Sequence, residues 1–253
     1  MVYLYSGTPG SGKSLDVAHE IIFWLKTGKP VIGNMYLNEE MIKKYKGTYY
    51  FVETYIMTPR DLMAFSKKTL KKGKEGQCLI VIDECHRIFN ARYFNDKDRR
   101  EWLEFFTLHR QFGFDIYLVA QWDRQVDRQI RAMIEYEIKH RKGNNMGNIG
   151  FLLSLFFGTF FVRMENWYGS NQRLSSSFFR YHKKWGRLYD GYMAFDENEK
   201  AKRNDLLPVI APPVPVVPSP VVSGGQGVPT DDGGGTAAAD DGYKVDRYGF
   251  IIN

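Results

Sequence analysis

An α/β fold with a mostly parallel sheet flanked by helices is what this 253-residue chain predicts, on three observations. Short apolar runs alternate with segments of helical periodicity, the pattern of strand–helix–strand units whose strands lie parallel. Two runs, Cys78-Leu79-Ile80-Val81-Ile82 and Asp115-Ile116-Tyr117-Leu118-Val119-Ala120, are nearly continuous in apolar residues, as strands covered on both faces require. A glycine-rich loop, Gly7-Thr8-Pro9-Gly10-Ser11-Gly12-Lys13-Ser14, follows the apolar run Val2-Tyr3-Leu4-Tyr5 and opens a helix.

In chain order, the helix after that loop spans about Lys13 to Thr27, with Leu15, Ala18, Ile22 and Leu25 on one face and Gly28 as its stop. Pro30-Val31-Ile32-Gly33-Asn34 reads as a second short strand. Thr58-Pro59-Arg60-Asp61 starts another helix, with a capping hydroxyl, a proline in the first turn and an acid three residues on. A basic loop, Lys68 to Lys74, leads to the Cys78–Ile82 strand. A helix rich in aromatics and charges, Asp98 to Phe112, is stopped by Gly113 ahead of the Asp115–Ala120 strand.

The stretch Ile134-Glu135-Tyr136-Glu137-Ile138-Lys139-His140-Arg141 alternates as a sheet-edge strand does. Met146 to Val162 is uncharged and mostly apolar. Its seventeen residues stand at the lower limit of a spanning helix, and Asn148, Gly150, Ser154, Gly158 and Thr159 dilute it. The cluster Lys139-His140-Arg141-Lys142 ahead of it satisfies the positive-inside bias. Two readings stay open for this segment: a buried strand or hairpin, or a stretch inserted in or resting on a membrane. Past Leu207 the composition changes, with seven of the ten prolines between Pro208 and Pro229 and a Gly/Ala/Asp-rich run to Gly242. Such a segment buries too little apolar surface to fold and is expected to be a disordered linker. The chain therefore divides into a folded domain over 1–203, a Pro/Gly-rich linker over 204–242 and a short tail over 243–253.

Composition narrows the classes. At 43% hydrophobic and 15% aromatic, the chain fills a substantial core. The net charge of +6 is uneven: from Asn204 onward six Asp face only Lys244 and Arg247, a balance of −4, which leaves +10 on the first 203 residues. That excess points to an anionic partner, nucleic acid or lipid headgroups, with a basic surface kept for solubility as the plainer alternative. Cys78 and Cys85 flank one strand and offer no disulfide framework, which fits a reducing cytoplasm. Met1 leads straight into a strand, so no signal peptide is expected. His86, His109 and His140 make no metal set.

The glycine-rich loop matches G-x-x-x-x-G-K-[ST], and its strand–loop–helix context makes it a phosphate cradle, a P-loop. Backbone N–H groups from Gly7 to Ser14 and on to Leu15 close around phosphate oxygens, and the dipole of the following helix favours the anion. The predicted fold is that of a P-loop NTPase, with ATP and Mg²⁺ as its ligands. Lys13 is expected to reach the β- and γ-phosphates and the Ser14 hydroxyl to ligate the cation. Asp83, after the Leu79–Ile82 run and about seventy residues past the P-loop, is the second cation ligand, a Walker B position. Glu84 beside it suits a residue that orients and deprotonates water, which hydrolysis needs. Gln121 closes the next strand and can bind the attacking water or the γ-phosphate, or be an ordinary end-of-strand polar group. Arg92, Arg110 and Arg131 are candidates to act on a neighbouring subunit's nucleotide, with surface ion pairing as the alternative for each. Asp83-Glu84-Cys85-His86 matches a helicase D-E-x-H box on its face, but a two-lobed helicase needs a second domain that this length cannot hold.

These residues together resemble the filamentous-phage (inovirus) assembly and export ATPases grouped with the zonula occludens toxin (Zot) proteins. The resemblance runs from the P-loop through Val81-Ile82-Asp83-Glu84-Cys85, Phe89-Asn90-x-Arg92, Asn95-Asp96-Lys97-x-Arg99, His109-Arg110 and Phe114-Asp115. It continues through Val126-Asp127-x-x-x-Arg131 and Gly186-x-Leu188-Tyr189-x-x-Tyr192, covering about Met1 to Asn198. It implies an ATPase in the host cytoplasm at the inner membrane that drives extrusion of single-stranded phage DNA as virions assemble. It also implies a ring-like homo-oligomer, with a hexamer among the candidates, and partnership with phage coat proteins, single-stranded DNA and, in some members, a secretin. Such proteins usually carry a membrane span after the ATPase domain, where this chain has its proline-rich linker, which cannot be a spanning helix. Attachment then uses Met146–Val162, or comes from a partner, or the host envelope differs. Two other readings stand beside the motor: a cytosolic single-stranded DNA translocase or packaging ATPase, using Arg180-Tyr181-His182-Lys183-Lys184-Trp185-Gly186-Arg187, and a nucleotide switch that does not hydrolyse.

Overall fold

Strand β1 (Val2–Ser6) runs through the glycine-rich loop into helix α1 (Lys13–Lys26), followed by β2 (Val31–Gly33), α2 (Glu39–Ile42), β3 (Tyr49–Phe51) and α3 (Pro59–Thr69). Then come β4 (Cys78–Ile82), α4 (Asp96–Leu108), β5 (Phe114–Val119), α5 (Arg128–Arg131), β6 (Tyr136–Lys142), β7 (Phe160–Trp167), β8 (Arg173–Arg180) and α6 (Lys183–Gly186). The computed structural model describes residues 1–90, 96–143, 158–181, 183–189, 244–245 and 251–252. In the C-terminal unit, Lys244–Val245 pairs antiparallel with Ile251–Ile252.

One eight-stranded sheet has the order β3-β2-β4-β5-β1-β6-β7-β8. The first six strands are parallel, and β7 and β8 extend the sheet as antiparallel neighbours of β6. The two-residue period of each strand sorts its side chains between two cores. Leu79, Val81, Tyr117 and Val119 face Val17, Ile21 and Leu25 of α1. Ile80, Ile82, Ile116 and Leu118 face Leu62 of α3 and Trp102, Phe105 and Phe106 of α4. Phe89 meets Trp102 edge-on with ring centroids 4.9 Å apart, and Phe106 lies 5.6 Å away. Aromatic side chains are the largest apolar groups available, and edge-to-face packing adds a specific term to their burial. Helices on both faces explain why the central strands read as unbroken apolar runs.

Local signals placed most elements. Thr58 caps α3: its hydroxyl accepts from the Asp61 N–H at 3.3 Å and donates to Asp61 Oδ2 at 2.7 Å, with Pro59 opening the helix. Helix α4 lies two to four residues earlier than its expected bounds, because turns at 109–112 carry the chain to Gly113 at φ 80°. Leu15 lines the cleft described below, while Val17 and Ile21 of α1 are fully buried beside Ala18 and Leu25. One expectation needs correction. The alternating stretch after Ile134 is not a sheet edge, since β6 is paired on both sides and β8 is the edge. Its alternation instead reflects a strand whose polar groups, Glu137 and His140, are buried with partners. Of the Met146–Val162 segment, residues 146–157 lie outside the described part, and Phe160 to Val162 begin β7 with all three side chains buried. Among the described residues no helix is long and apolar enough to cross a membrane. The 204–242 linker also falls outside the described residues.

Phe105 is fully buried between α4 and the sheet, whereas Phe178 on the edge strand is 70% exposed. Phe105→Ala is therefore expected to lower unfolding free energy by about 3–5 kcal/mol in urea titrations. Phe178→Ala is expected to stay within about 0.5 kcal/mol of the parent.

Candidate functional site

A cleft of about 350 Å³ opens at the carboxyl ends of the parallel strands, lined by Gly10 to Leu15 together with Phe161, Tyr181, Gly186 and Tyr189. In open parallel sheets this is the end where ligands bind. The parallel register sets β5 between β1 and β4, so the P-loop and the Walker B acid flank one intervening strand. The Gly7 N–H donates to the Gln121 carbonyl at 3.3 Å, tying the start of the loop to the end of β5.

Two glycines are demanded by close approach. Gly7 has φ 143°, and a Cβ there would lie 2.5 Å from the carbonyl oxygen of His140 on β6. Gly12 has φ 93°, and its Cβ would meet the Phe161 ring at 2.8 Å. Any side chain at either position would push the loop off the sheet. The loop hands directly into α1, whose first-turn N–H groups, with no side-chain cap at Gly12, are open to an anion. Lys13 is buried, and its Nζ donates to the carbonyls of Gly7 at 2.7 Å and Thr8 at 3.2 Å. Burial pulls the Lys13 ammonium below its usual pKa, against the opposing pull of Glu84 and Asp83.

Asp83 follows the last residue of β4. Its main chain is clamped by Asn34, whose Oδ1 accepts from the Asp83 N–H at 2.7 Å and whose Nδ2 donates to the Asp83 carbonyl at 2.8 Å. Asp83 Oδ1 accepts from the Glu84 N–H at 2.9 Å, and Oδ2 accepts from the Tyr189 phenol at 3.5 Å. Tyr189 lines the same cleft as Ser14. Burial first, and then the neighbouring Glu84 charge, push the Asp83 carboxyl up to about 6. Burial and Asp83 likewise raise the Tyr189 phenol to about 12, so it keeps its proton at neutral pH.

Glu84 sits in the left-handed region, φ 48° and ψ 46°, where a residue with a Cβ is strained by about 1–2 kcal/mol. That turn ends the strand abruptly and places the two acids side by side. One Glu84 oxygen lies 3.2 Å from His86 Nδ1. Ser14, Asp83, Lys13 and Glu84 are thus brought to one end of the sheet. Ser14 and Asp83 supply the hard oxygens that Mg²⁺ prefers, and the single carboxylate suits a cation that takes its other ligands from phosphates and water. The loop whose glycines tolerate no Cβ and the buried Lys13 fit the triphosphate.

Neither Arg110 nor Arg131 lines this cleft. Arg110 pairs with Glu135, whose carboxylate also accepts from the Val2 N–H, at the amino ends of the strands. Arg131 lies 3.9 Å from Asp123. Arg92 is outside the described residues. Sequence reasoning missed Asn34, Phe161, Tyr189 and a buried network behind the loop. In that network His140 Nε2 contacts Asp16 Oδ2 at 2.9 Å, and Arg163 lies 3.6 Å from Asp16 and 3.0 Å from Glu20. It fastens the first turn of α1 to β6 and β7. A signal existed only for Tyr189, which belongs to a quoted family segment; the others belong to no local pattern.

A family model described as zonular occludens toxin (Zot) matches residues 1–192. The chain is 30% identical over 166 residues to the Gene 1 protein of Enterobacteria phage I2-2, and 28% identical over 172 residues to that of Enterobacteria phage M13. Each alignment takes in 62% of this chain, and 45% and 47% of the respective relative, so the chain spans under half the length of these relatives. Among solved structures, a DnaB-like replicative helicase superposes with a TM-score of 0.52 at 8% identity, covering 73% of this chain and 56% of that one. That likeness shows a shared P-loop NTPase fold.

The raised Asp83 carboxyl has a stability consequence. Its pKa is higher folded, about 6, than unfolded, about 3.8, so the folded state holds the extra proton between those values. The contribution of Asp83 to stability therefore falls as pH rises from about 4 to about 6, and is level above. Asp83→Asn is expected to be more stable than the parent at pH 7.5 by on the order of 2 kcal/mol, with the difference shrinking toward pH 4 in urea titrations. A difference that does not vary with pH would remove the charge as its cause.

Proposed function

The chain belongs to the zonular occludens toxin (Zot) family, and from that premise we propose that it is a P-loop ATPase that powers assembly and extrusion of filamentous phage through the host inner membrane. The observation that carries the reading is that Lys13 and Ser14 line one cleft with Tyr189, whose phenol meets Asp83, next to Glu84, at the carboxyl end of β4. The phage origin of the Gene 1 relatives supports the setting.

In this reading the P-loop N–H groups and the α1 terminus bind the β- and γ-phosphates, and Lys13 leaves the Gly7 and Thr8 carbonyls to neutralise them. Ser14 and Asp83 hold Mg²⁺, which when bound polarises the phosphoryl oxygens and spreads the developing charge. Glu84 orients a water in line with the γ-phosphorus and takes its proton, while the bond to the β-phosphate oxygen breaks and ADP leaves. Gln121, at the end of the strand between the two motifs, contacts that water or the γ-phosphate. A neighbouring subunit of a ring-like homo-oligomer supplies an arginine from among Arg92, Arg110 and Arg131. The stroke is transmitted to coat proteins and single-stranded DNA in the host cytoplasm at the inner membrane.

A second reading, a cytosolic single-stranded DNA translocase, is favoured by one observation. Phe178 and Tyr181 are 70% and 49% exposed at the end of the edge strand, flanking Arg180 and close in sequence to Lys183. Exposed aromatics beside basic groups form stacking platforms for unpaired bases.

Glu84→Gln is expected to bind ATP within about twofold of the parent while single-turnover phosphate release falls by about 10²–10⁴-fold. Lys13→Ala is expected to lose nucleotide binding in a fluorescence titration with a labelled ATP analogue. Undiminished turnover in Glu84→Gln would take the water-activating role from that residue. Binding without repeated turnover in the parent would leave a nucleotide switch.

A further inference from the structure

Tyr189 stands where the two groups assigned to the cation meet. Its phenol donates to Asp83 Oδ2 at 3.5 Å, and Tyr189 lines the cleft together with Ser14. We propose that Tyr189 is a displaceable stand-in for the nucleotide-bound divalent cation, so that loading of a metal–nucleoside triphosphate moves residue 189 and loosens its pairing with Leu37. The inference rests on the nucleotide reading above and adds to it a residue that couples metal loading to the segment following α6.

Both Asp83 oxygens are engaged. Oδ1 takes a hydrogen bond of 2.9 Å from the Glu84 main chain, and Oδ2 takes the longer one from Tyr189. The Glu84 N–H is fixed by the strained turn at φ 48° and by the Arg87 N–H, which donates to the Glu84 carbonyl at 2.9 Å. The phenol sits on a side chain with rotatable bonds. A divalent cation seated on Oδ2 would set its charge and its bound waters against the phenol's proton, and the longer, more mobile contact yields.

The segment carrying Tyr189 has the form such a coupling needs. Leu188 is fully buried in the α1-side core, and its carbonyl accepts from the Asn38 N–H at 2.9 Å, which makes it an anchor. One residue later, Tyr189 makes an isolated antiparallel bridge to Leu37. A side chain expelled from the cleft therefore disturbs residue 189 while Leu188 holds. A phenol fixed at that place merely to fill space would make no use of its hydroxyl, and a phenylalanine would serve equally.

The test uses the full chain with a non-hydrolysable ATP analogue. In Tyr189→Phe, the Mg²⁺ concentration giving half-maximal tightening of analogue binding is expected to fall about fivefold, the equilibrium worth of one ordinary hydrogen bond. Analogue affinity in EDTA is expected to match the parent. In the unmodified chain, hydrogen exchange over residues 187–189 is expected to quicken with Mg²⁺ and analogue relative to analogue in EDTA, a readout that does not depend on how the variant folds. An unchanged Mg²⁺ midpoint, a higher one (the phenol helping to hold the cation), an equal change in EDTA, or exchange unaffected by Mg²⁺ would each overturn the proposal. If the unmodified chain binds no analogue with or without Mg²⁺, the nucleotide reading fails and this inference fails with it. Mg²⁺-dependent binding indifferent to Tyr189 removes this inference alone.

Discussion

Lys13 and Asp83 carry opposite charges at one end of the sheet, in surroundings that solvate neither well. Burial draws the lysine below its ordinary pKa and lifts the aspartate to about 6. In such a place Coulomb attraction is stronger than in water but desolvation opposes it, so each charge gains most from a partner that is itself multiply charged. A triphosphate bridged to a divalent cation has that character, with anionic oxygens for Lys13 and positive charge for Asp83. The surrounding hydrogen bonds, from the ammonium to the Gly7 and Thr8 carbonyls and from the Glu84 N–H to the carboxylate, hold the two groups ready without neutralising them.

That readiness depends on the antiparallel extension of the sheet as much as on the P-loop. The His140 carbonyl on β6 presses on Gly7, and the Phe161 ring on β7 presses on Gly12. Behind them, buried Asp16 and His140 and half-buried Arg163 and Glu20 form a polar cluster that fixes the first turn of α1. Buried groups of this kind destabilise when unpaired, so their mutual satisfaction holds β6, β7 and α1 in one arrangement. The loop is therefore gripped from β5 through Gln121, from β6 and from β7. A phosphate cradle with a rigid back suits electrostatic preorganisation, because little reorganisation is left for the moment of reaction.

Much of this was legible along the chain. The P-loop, the Thr58 cap and the Cys78–Ile82 strand are written in adjacent residues, and each formed where its local chemistry places it. Helix α4 slipped by a few residues because an end signal, Gly113, acts through a turn rather than at the last helical residue. Strand β6 was mistaken for an edge because its buried Glu137 and His140 imitate solvent-facing polar residues. Period alone does not distinguish a polar group facing water from one facing a partner.

The sequence by itself determined the chemistry of the cleft, since Gly7, Gly12, Lys13, Ser14, Asp83 and Glu84 follow from φ angles, phosphate geometry and strand ends, all properties of a few consecutive residues. Only the tertiary structure decided what stands against them: Asn34 clamping Asp83, Phe161 over Gly12, and the Tyr189 phenol on Asp83. Those partners lie about 50 residues or more away along the chain. Their meeting is set by strand order and by which side chain a parallel register turns toward the loop, and periodicity reports that a residue is buried without saying beside what.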